Sequence, residues 1–304
     1  MEEDVYKYEE HLKLYYAFKI EGHDLVLGHL PKTLVESVHW PECAWRIDKT
    51  FQTVTMRADP IASAAFRTKL VQEMVDSIAR RRHLTVHKRS SDHYLPVYGK
   101  HGEVLLEIEQ HASALFGIVL YGAHLTCFTN GAAGLKIWVA RRSHTATAYP
   151  GMLDTTCTAP LKAGDIPKET LITHAALETS LSDEYLERTI TPGGCLSYFH
   201  VTGIESGKAR GLLQPEMQYV YEAQIDPGVI RWSQCEDVDV YNLLSIEQVL
   251  CALRRREFTP RSAIVMIDFF IRHNIIVPEN DPYFMEIFSR LHRHLDFPTI
   301  DYSI

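Results

Sequence analysis

The chain has 304 residues, of which 46% are apolar and 23% charged, so it can form one large or two ordinary domains and is not a disordered chain. Its formal net charge of −8 argues against nucleic acid as the main partner, because phosphate backbones are bound by basic surfaces. The six cysteines are scattered and form no C-x-x-C pair, which predicts reduced thiols. The chain starts with acidic residues and has no apolar run of roughly 18 residues, so we predict a cytoplasmic protein with no membrane partner.

The first part of the chain is predicted to form a smaller α/β domain over residues 1–108. The apolar segments HLKLYYAFKI and HDLVLGHL are typical of short strands or buried segments. A helix is predicted from Asp59, which can cap it, with Pro60 in the first turn, where a missing N–H is tolerated. Its apolar face is predicted from residues that recur every four positions, namely Phe66, Leu70, Met74 and Ile78.

The second domain is predicted to span residues 109–304, with a helical extension from about residue 245. Apolar and β-branched runs predict its strands, which are ALFGIVLYGAHLTCF, LKIWVARR, GCLSYFHVTG and MQYVYEAQI. The helical extension is predicted from a capping box at Ser245 and Gln248, a Thr259-Pro260 helix start and a later Asp281-Pro282 start. The chain is therefore predicted to be an α+β protein.

Several segments of the second domain resemble the Nudix hydrolase superfamily in the expected order. They are ALFGIVLYGAHL, IWVARRSHTATAYPGMLD, SYF, QYVYEAQI, EDVDVYNLLSIEQVL and AIVMIDFFIRHNIIVPEN. The whole chain resembles the two-domain fungal and plant Nudix proteins related to thiamine-diphosphate metabolism. This resemblance implies a Nudix α/β/α sandwich with a mixed sheet, preceded by the smaller N-terminal domain and followed by C-terminal helices.

The Nudix box is G-x5-E-x7-R-E-U-x-E-E-x-G-U, where U is aliphatic, and it implies a helix whose glutamates bind Mg²⁺ on one face. Most of its chemical positions are changed in this chain. The glycine pair corresponds to Ala159 and Pro160, and the loop glutamate corresponds to Asp165. The Arg-Glu pair corresponds to Thr173 and His174, and the Glu-Glu pair corresponds to Leu177 and Glu178.

Only Glu178 remains of the three helix carboxylates in the box. Each carboxylate at about 4 Å from a cation contributes on the order of 4 kcal/mol of attraction at an effective dielectric of 20. We therefore expect ordinary Mg²⁺-dependent pyrophosphohydrolysis to be lost or weakened, and we expect no cofactor.

His174 and Glu178 are four residues apart on the box helix, so their side chains share one face. The carboxylate and the imidazole either form a pair that serves acid–base chemistry or form an ordinary surface pair. We predict these two residues, Asp154 and Tyr221 as catalytic. The predicted substrate-binding residues lie on the strands and loop that wall a Nudix pocket, and they are Arg141, Arg142, His144, Tyr149, Glu216 and Tyr219.

Three functions remain open at this stage, each with a small-molecule partner and an unknown oligomeric state. The first is a repurposed Nudix-fold enzyme that acts on an organic molecule without Mg²⁺, by isomerisation, cyclisation, dehydration or hydrolysis. The second is a diphosphohydrolase with a rebuilt Mg²⁺ or Mn²⁺ site, built from Glu178, Asp165 and Glu169, for a prenyl, nucleoside or thiamine-type diphosphate. The third is a non-catalytic binding module.

Overall fold

The computed structural model of the protein describes residues 12–80, 94–132, 134–202, 211–226 and 237–299. The predicted α+β class is confirmed. The helices are α1 (Lys32–Ser37), α2 (Ala64–Ala79), α3 (Gln110–Phe116), α4 (Pro167–Thr179), α5 (Asp183–Thr189), α6 (Ile246–Arg254), α7 (Pro260–Arg272) and α8 (Phe284–Leu291). The strands are β1 (Tyr15–Ile20), β2 (Gly28–Pro31), β3 (Trp45–Asp48), β4 (Thr53–Met56), β5 (Tyr94–Tyr98), β6 (Val104–Glu109), β7 (Leu120–Gly131), β8 (Gly134–Arg142), β9 (Leu153–Asp154), β10 (Cys157–Pro160), β11 (Ile190–Val201), β12 (Leu213–Gln224) and β13 (Val238–Ser245).

The chain folds into two compact units. One unit contains Met1–Leu120, Tyr198–Glu216 and His294–Ile304, and the other contains Tyr121–Ser197 and Met217–Arg293. Neither unit is a continuous stretch of sequence, because segments from later in the chain complete the first one. The single boundary at residue 108 stays a prediction.

The first unit contains a mixed sheet of four strands in the order β2-β1-β4-β3. Strand β1 pairs antiparallel with β2 and parallel with β4, and β3 pairs antiparallel with β4. A two-stranded ribbon of β5 and β6 lies against helix α2. The core of this unit is aromatic and aliphatic, and its fully buried large side chains include Tyr16, Phe18, Phe116, Met74 and Ile78.

Helix α2 begins later than its sequence predicted. Ser63, not Asp59, is the N-cap and accepts the Phe66 N–H at 3.2 Å, whereas Asp59 accepts the Ile61 N–H in the preceding turn. Phe66 is 49% exposed, so its assignment to the apolar face was wrong. A strict spacing of four drifts about 40° per step around a helix of 3.6 residues per turn. The stripe that is buried consists of Arg67, Val71, Met74, Val75 and Ile78.

The second sheet has seven strands, with the order β11-β12-β7-β8-β13, strand β10 on β7 and strand β9 on β8. The strand predicted from residue 114 begins only at Leu120, because residues up to Phe116 end helix α3 at Gly117, whose φ of 57° is left-handed. The other three predicted strand runs lie on β8, β11 and β12, apart from Thr202, Gly203 and Ile225 at their ends. Gly203 lies outside the described residues.

Two of the three predicted C-terminal helices, α6 and α7, begin where their caps predicted, and α8 begins later than predicted. Ser245 and Gln248 form the capping box of α6, Thr259 caps α7 and Asn274 adopts the left-handed conformation after it. Helix α8 begins three residues after Asp281, which accepts the Tyr283 N–H in the turn before it. A buried apolar cluster joins α6 and α7 to the sheet through residues such as Phe128, Val139, Val249, Phe269 and Phe270. None of the helices within the described residues is long and apolar enough to cross a membrane.

Candidate functional site

The segment from β9 to the end of α4 carries most of the predicted site residues. Strand β9 pairs with β8, strand β10 pairs with β7, and helix α4 packs against β10. Pro167 occupies the first turn of α4, where its missing N–H is tolerated. The helix ends at Ser180, which has a left-handed φ of 60°. The Nudix pattern would place a glycine at this position, and Ser180 adopts the left-handed conformation that glycine favours.

Glu178 lies half-buried in the last turn of α4. Burial raises the pKa of Glu178 from its ordinary 4.5 to about 7. The carboxylates of Asp154 and Asp237 raise this pKa further, whereas the Cys157 hydrogen bond and the Arg142 charge lower it. Near neutral pH the Glu178 carboxyl therefore exists in both protonation states, which suits a general acid or base.

Cys157 is 2% exposed on β10, where it pairs with Leu125 of β7. Burial and the neighbouring Glu178 carboxylate raise the pKa of this thiol well above its usual range. The thiol therefore stays protonated and is not a thiolate nucleophile.

Asp154 is buried and both of its carboxylate oxygens have partners. Oδ1 accepts the Thr155 N–H at 3.0 Å and the hydroxyl of Ser262, and Oδ2 accepts from Arg142 Nη1 at 3.2 Å. These contacts tie β9 to the first turn of α7 and to the end of β8. The arrangement suits a residue that holds Arg142 in place near Glu178.

The two predicted arginines at the end of β8 hold the loop that follows them. Arg141 Nη1 donates to the Gly151 carbonyl at 2.7 Å, and Arg142 Nε donates to the Ala148 carbonyl at 3.0 Å. Both side chains are half-buried. Their guanidinium groups are thus partly committed to the backbone, and Arg142 is the one that also interacts with Glu178.

His144 and Tyr149 lie in the same loop. His144 is exposed, with its Nε2 3.8 Å from Asp239 Oδ2, and its backbone N–H donates to the same carboxylate at 3.2 Å. Tyr149 is half-buried and has a φ of 50°, which is uncommon for a residue with a side chain. The loop therefore has a defined turn beside the box, and the substrate-binding roles of both residues stay predictions.

The donor set on α4 is a poor match to Mg²⁺, which prefers several hard oxygen ligands. His174 is half-buried, and Leu177, at a glutamate position of the box, is 70% exposed. Within the described ranges, no group of three or more His, Cys, Asp or Glu side chains is placed to hold a metal ion.

Of the two additional carboxylates of the alternative metal site, one is engaged by a backbone N–H and the other is exposed. Asp165 Oδ2 accepts the Lys162 N–H at 2.7 Å in the loop before α4. Glu169 is exposed in the first turn of α4, nine residues before Glu178 and therefore on about the opposite face of the helix. A metal site shared by these residues would require a different arrangement of the loop and helix.

The predicted residues on β12 are divided between the two units. Tyr219 and Tyr221 are half-buried neighbours in the second unit. Glu216 belongs to the first unit and its side chain has no exposed surface. It accepts the Tyr198 hydroxyl at 2.8 Å, and its other oxygen lies 3.5 Å from His200 Nδ1. These contacts define a buried polar cluster, and the substrate-binding role of Glu216 stays a prediction.

Three residues next to the predicted site were not identified from the sequence, namely Cys157, Ser262 and Asp237. Cys157 lies in a short apolar strand that gives no local chemical signal. Ser262 lies in the first turn of α7, more than a hundred residues from Asp154 in sequence. Asp237 belongs to an acidic run next to β13, and only its spatial proximity to Glu178 indicates a role.

No family model matches the chain. The chain is similar in sequence to proteins from yeast and from a plant. The uncharacterized protein YJR142W of Saccharomyces cerevisiae is 32% identical over 239 residues, which cover 75% of this chain and 69% of the yeast protein. Nudix hydrolase 20, chloroplastic, of Arabidopsis thaliana is 25% identical over 189 residues, which cover 62% of this chain and 48% of the plant protein. The match thus spans about half the length of the plant relative.

Among solved structures, the chain is similar to the Nudix domain of Shewanella oneidensis NrtR in complex with ADP ribose. The TM-score is 0.38 and the sequence identity is 15%, and the match covers 56% of this chain and 94% of that one.

Proposed function

Because this chain belongs to the Nudix hydrolase superfamily and has the Nudix α/β/α fold, we propose that it is an enzyme that uses Glu178 as a general acid or base on an organic small molecule, without Mg²⁺. The feature that supports this proposal is the position of Glu178, whose burial near the carboxylates of Asp154 and Asp237 raises its pKa to about 7. An acid–base group benefits from a pKa near the working pH.

Glu178 and the residues around it have different roles in the proposed site. Glu178 gives or takes the proton of the ligand, and a ligand that excludes water from the site strengthens these contacts. Arg142 is held by Asp154 and supplies a positive charge for an anionic or carbonyl oxygen of the ligand. Asp154 is assigned a positioning role, because both of its oxygens already have partners.

The remaining predicted residues keep supporting roles in this proposal. His174 is one helical turn before Glu178 and on the same face, so it can relay a proton. Tyr219 and Tyr221 lie half-buried next to each other on β12 and are assigned to ligand contacts. Isomerisation, cyclisation, dehydration and hydrolysis all fit these groups.

The proposal is tested by mass spectrometry of candidate metabolites incubated with the purified chain. The candidates are the small organic products of enzymes encoded next to it, each assayed with EDTA and with Mg²⁺. We expect turnover that EDTA does not reduce and that Glu178→Gln lowers by about 10² or more. Glu187→Gln, an exposed glutamate on the neighbouring helix α5, is the matched control. Turnover that persists in Glu178→Gln refutes the proposal.

A diphosphohydrolase is the second candidate, because the plant relatives carry the name Nudix hydrolase. Phosphate release from prenyl, nucleoside or thiamine-type diphosphates, requiring Mg²⁺ or Mn²⁺ and abolished by EDTA, favours this candidate over the first. Tight ligand binding with no product after long incubation favours a binding module instead.

The missing carboxylates can be restored to test the role assigned to the box. Leu177 is exposed, so the double variant His174→Glu, Leu177→Glu fits on the helix surface. We expect electron paramagnetic resonance to detect Mn²⁺ bound to the double variant and not to the parent chain. Tight Mn²⁺ binding by the parent chain contradicts the metal-free mechanism.

A further inference from the structure

The second unit contains a cavity of about 430 Å³ that the proposed function does not use. The cavity lies at the hairpin end of β7 and β8, where Lys136 is six residues before Arg142 at the other end of β8. Six residues of a strand span about 20 Å, so this cavity is separate from the site around Glu178. We propose that it is a second binding site, which takes a small aromatic carboxylate with a single negative charge.

The register of the sheet determines which side chains form the floor of the cavity. Thr129 of β7 pairs with Lys136 of β8, and Leu243 of β13 pairs with Trp138 of β8. Paired residues, and residues two apart on one strand, project to the same face of a sheet. Thr129, Lys136 and Leu243 therefore share a face, and all three line the cavity. The floor thus presents a hydroxyl, an ammonium group and an aliphatic side chain.

Helix α5 contributes an aromatic side chain to the wall of the cavity. Tyr185 lines the cavity and is half-buried. Its backbone N–H donates to the Ser182 hydroxyl at 3.3 Å, and this cap fixes the first turn of the helix. The Tyr185 ring therefore provides a flat apolar surface for a ligand ring, and its hydroxyl provides a hydrogen-bond donor.

Three polar groups of the cavity are available to a ligand. In the part of the chain that the structure describes, the side chains of Thr129, Lys136 and Tyr185 make no hydrogen bond or ion pair. Thr129 is nonetheless only 5% exposed, so its hydroxyl lies deep in the cavity. A carboxylate supplies both the negative charge and the acceptor oxygens that these donors lack, and charge-assisted hydrogen bonds of this kind are strong.

The open side of the cavity restricts the charge of the ligand. Asp226 is exposed there, and its carboxylate repels a second negative charge on the ligand. A phosphate monoester carries about two negative charges at neutral pH and is therefore disfavoured. A Cβ placed on Gly131 or Gly134 would meet no atom within 4 Å, so the hairpin backbone leaves space for the ring of a ligand. The volume of the cavity lies within the range of small-molecule sites, about 300–1,000 Å³.

The test is a titration of the full chain with benzoate, followed through its backbone amide signals in NMR spectra. Benzamide is the neutral analogue and phenyl phosphate the dianionic one, each added up to about 10 mM. Gly131 and Gly134 report on the cavity, and Gly151, whose carbonyl accepts from Arg141, reports on the loop at the other end of β8. We expect benzoate to shift the signals of Gly131 and Gly134 and to leave that of Gly151 unchanged. Benzoate should bind at least about 10-fold more tightly than either analogue.

Two substitutions assign the binding to the side chains of the cavity. Lys136→Met keeps an apolar stem and removes the charge, so it should weaken benzoate binding by about 10-fold or more. Tyr185→Phe keeps the ring and removes the hydroxyl, so it should weaken binding by about 5-fold. Lys69→Met is the matched control, because Lys69 is an exposed lysine on α2 in the other unit, and it should leave the affinity unchanged.

Each of the other outcomes overturns the inference. Benzoate that shifts Gly151 and not the hairpin glycines binds elsewhere, and benzoate that shifts no signal does not bind. Equal binding of benzamide, or tighter binding of phenyl phosphate, contradicts the single negative charge assigned to the ligand. An unchanged affinity in Lys136→Met refutes the site even where the signals of Gly131 and Gly134 move.

Discussion

Replacement of Glu178 by glutamine should make the protein more stable at alkaline pH while it removes activity. The carboxyl of Glu178 has a pKa of about 7 in the folded chain, whereas its ordinary value is 4.5. Ionisation of this buried group therefore opposes folding. Glutamine has nearly the same shape and carries no charge, so Glu178→Gln removes this opposition.

The magnitude follows from the difference between the two pKa values. One pKa unit corresponds to about 1.4 kcal/mol, so the difference between 4.5 and about 7 corresponds to about 3 kcal/mol. Below pH 4.5 the carboxyl is protonated in both states and the parent chain is not destabilised. Between pH 4.5 and 7 the folded state binds more protons, so stability falls as the pH rises, and above pH 7 the full difference is present.

The assay is urea unfolding of the parent chain and the variant at pH values from 4.5 to 8.5. We expect equal free energies of unfolding at the acidic end and an advantage of up to about 3 kcal/mol for Glu178→Gln at the alkaline end. The control Glu187→Gln changes an exposed carboxyl and should show no such trend. A Glu178→Gln chain that is no more stable than the parent at pH 8.5 would refute the reasoning about burial.

Three further substitutions test other parts of the fold. Burial lowers the pKa of His29 from 6.5 to about 4, so the free energy of unfolding of the parent chain should fall by up to about 3 kcal/mol as the pH is lowered from 6.5 to 4. In the same urea titration, the free energy of unfolding of His29→Phe should fall less. Gly193→Ala should cost about 1 kcal/mol, because the new Cβ would lie 2.8 Å from the Arg272 Cζ and displace a guanidinium that Asp268 and Glu222 hold. Gly131→Ala meets no atom within 4 Å and should be nearly neutral in thermal unfolding. Asp154→Ala leaves a half-buried arginine without its carboxylate and should cost about 3–5 kcal/mol in chemical denaturation; a loss below 1 kcal/mol contradicts the positioning role of Asp154.

The predictions at Glu178 and His29 concern groups whose burial opposes their charged forms. The burial that makes ionisation of Glu178 unfavourable is the same feature that gives it the pKa needed for the proposed chemistry. Such a group is useful only if the fold tolerates the stability that its ionisation costs. For His29 the ring packs edge-on against Phe297 at 5.3 Å between centroids, and its neutral form suits that core position.

Many helix and strand assignments could be derived from local sequence. Ser245 with Gln248, Thr259 with Pro260, and Asn274 are signals that act within a few residues, so they mark the helix ends of the C-terminal part correctly. The start of α2 was misplaced because Asp59 and Ser63 are both good caps; Ser63 caps the helix, whereas Asp59 accepts a backbone N–H in the turn before it.

The sequence alone determined that Glu178 is the one carboxylate at the three helix positions where the Nudix pattern would place glutamates, since the residue at each position of a motif is a local property. Only the tertiary structure decided what surrounds the carboxylate that remains, because Cys157 and Asp154 approach Glu178 from strands that pair with different partners of the sheet. Burial, charge and hydrogen bonding act through space, and they set the proton affinity of Glu178 independently of the pattern in which it stands.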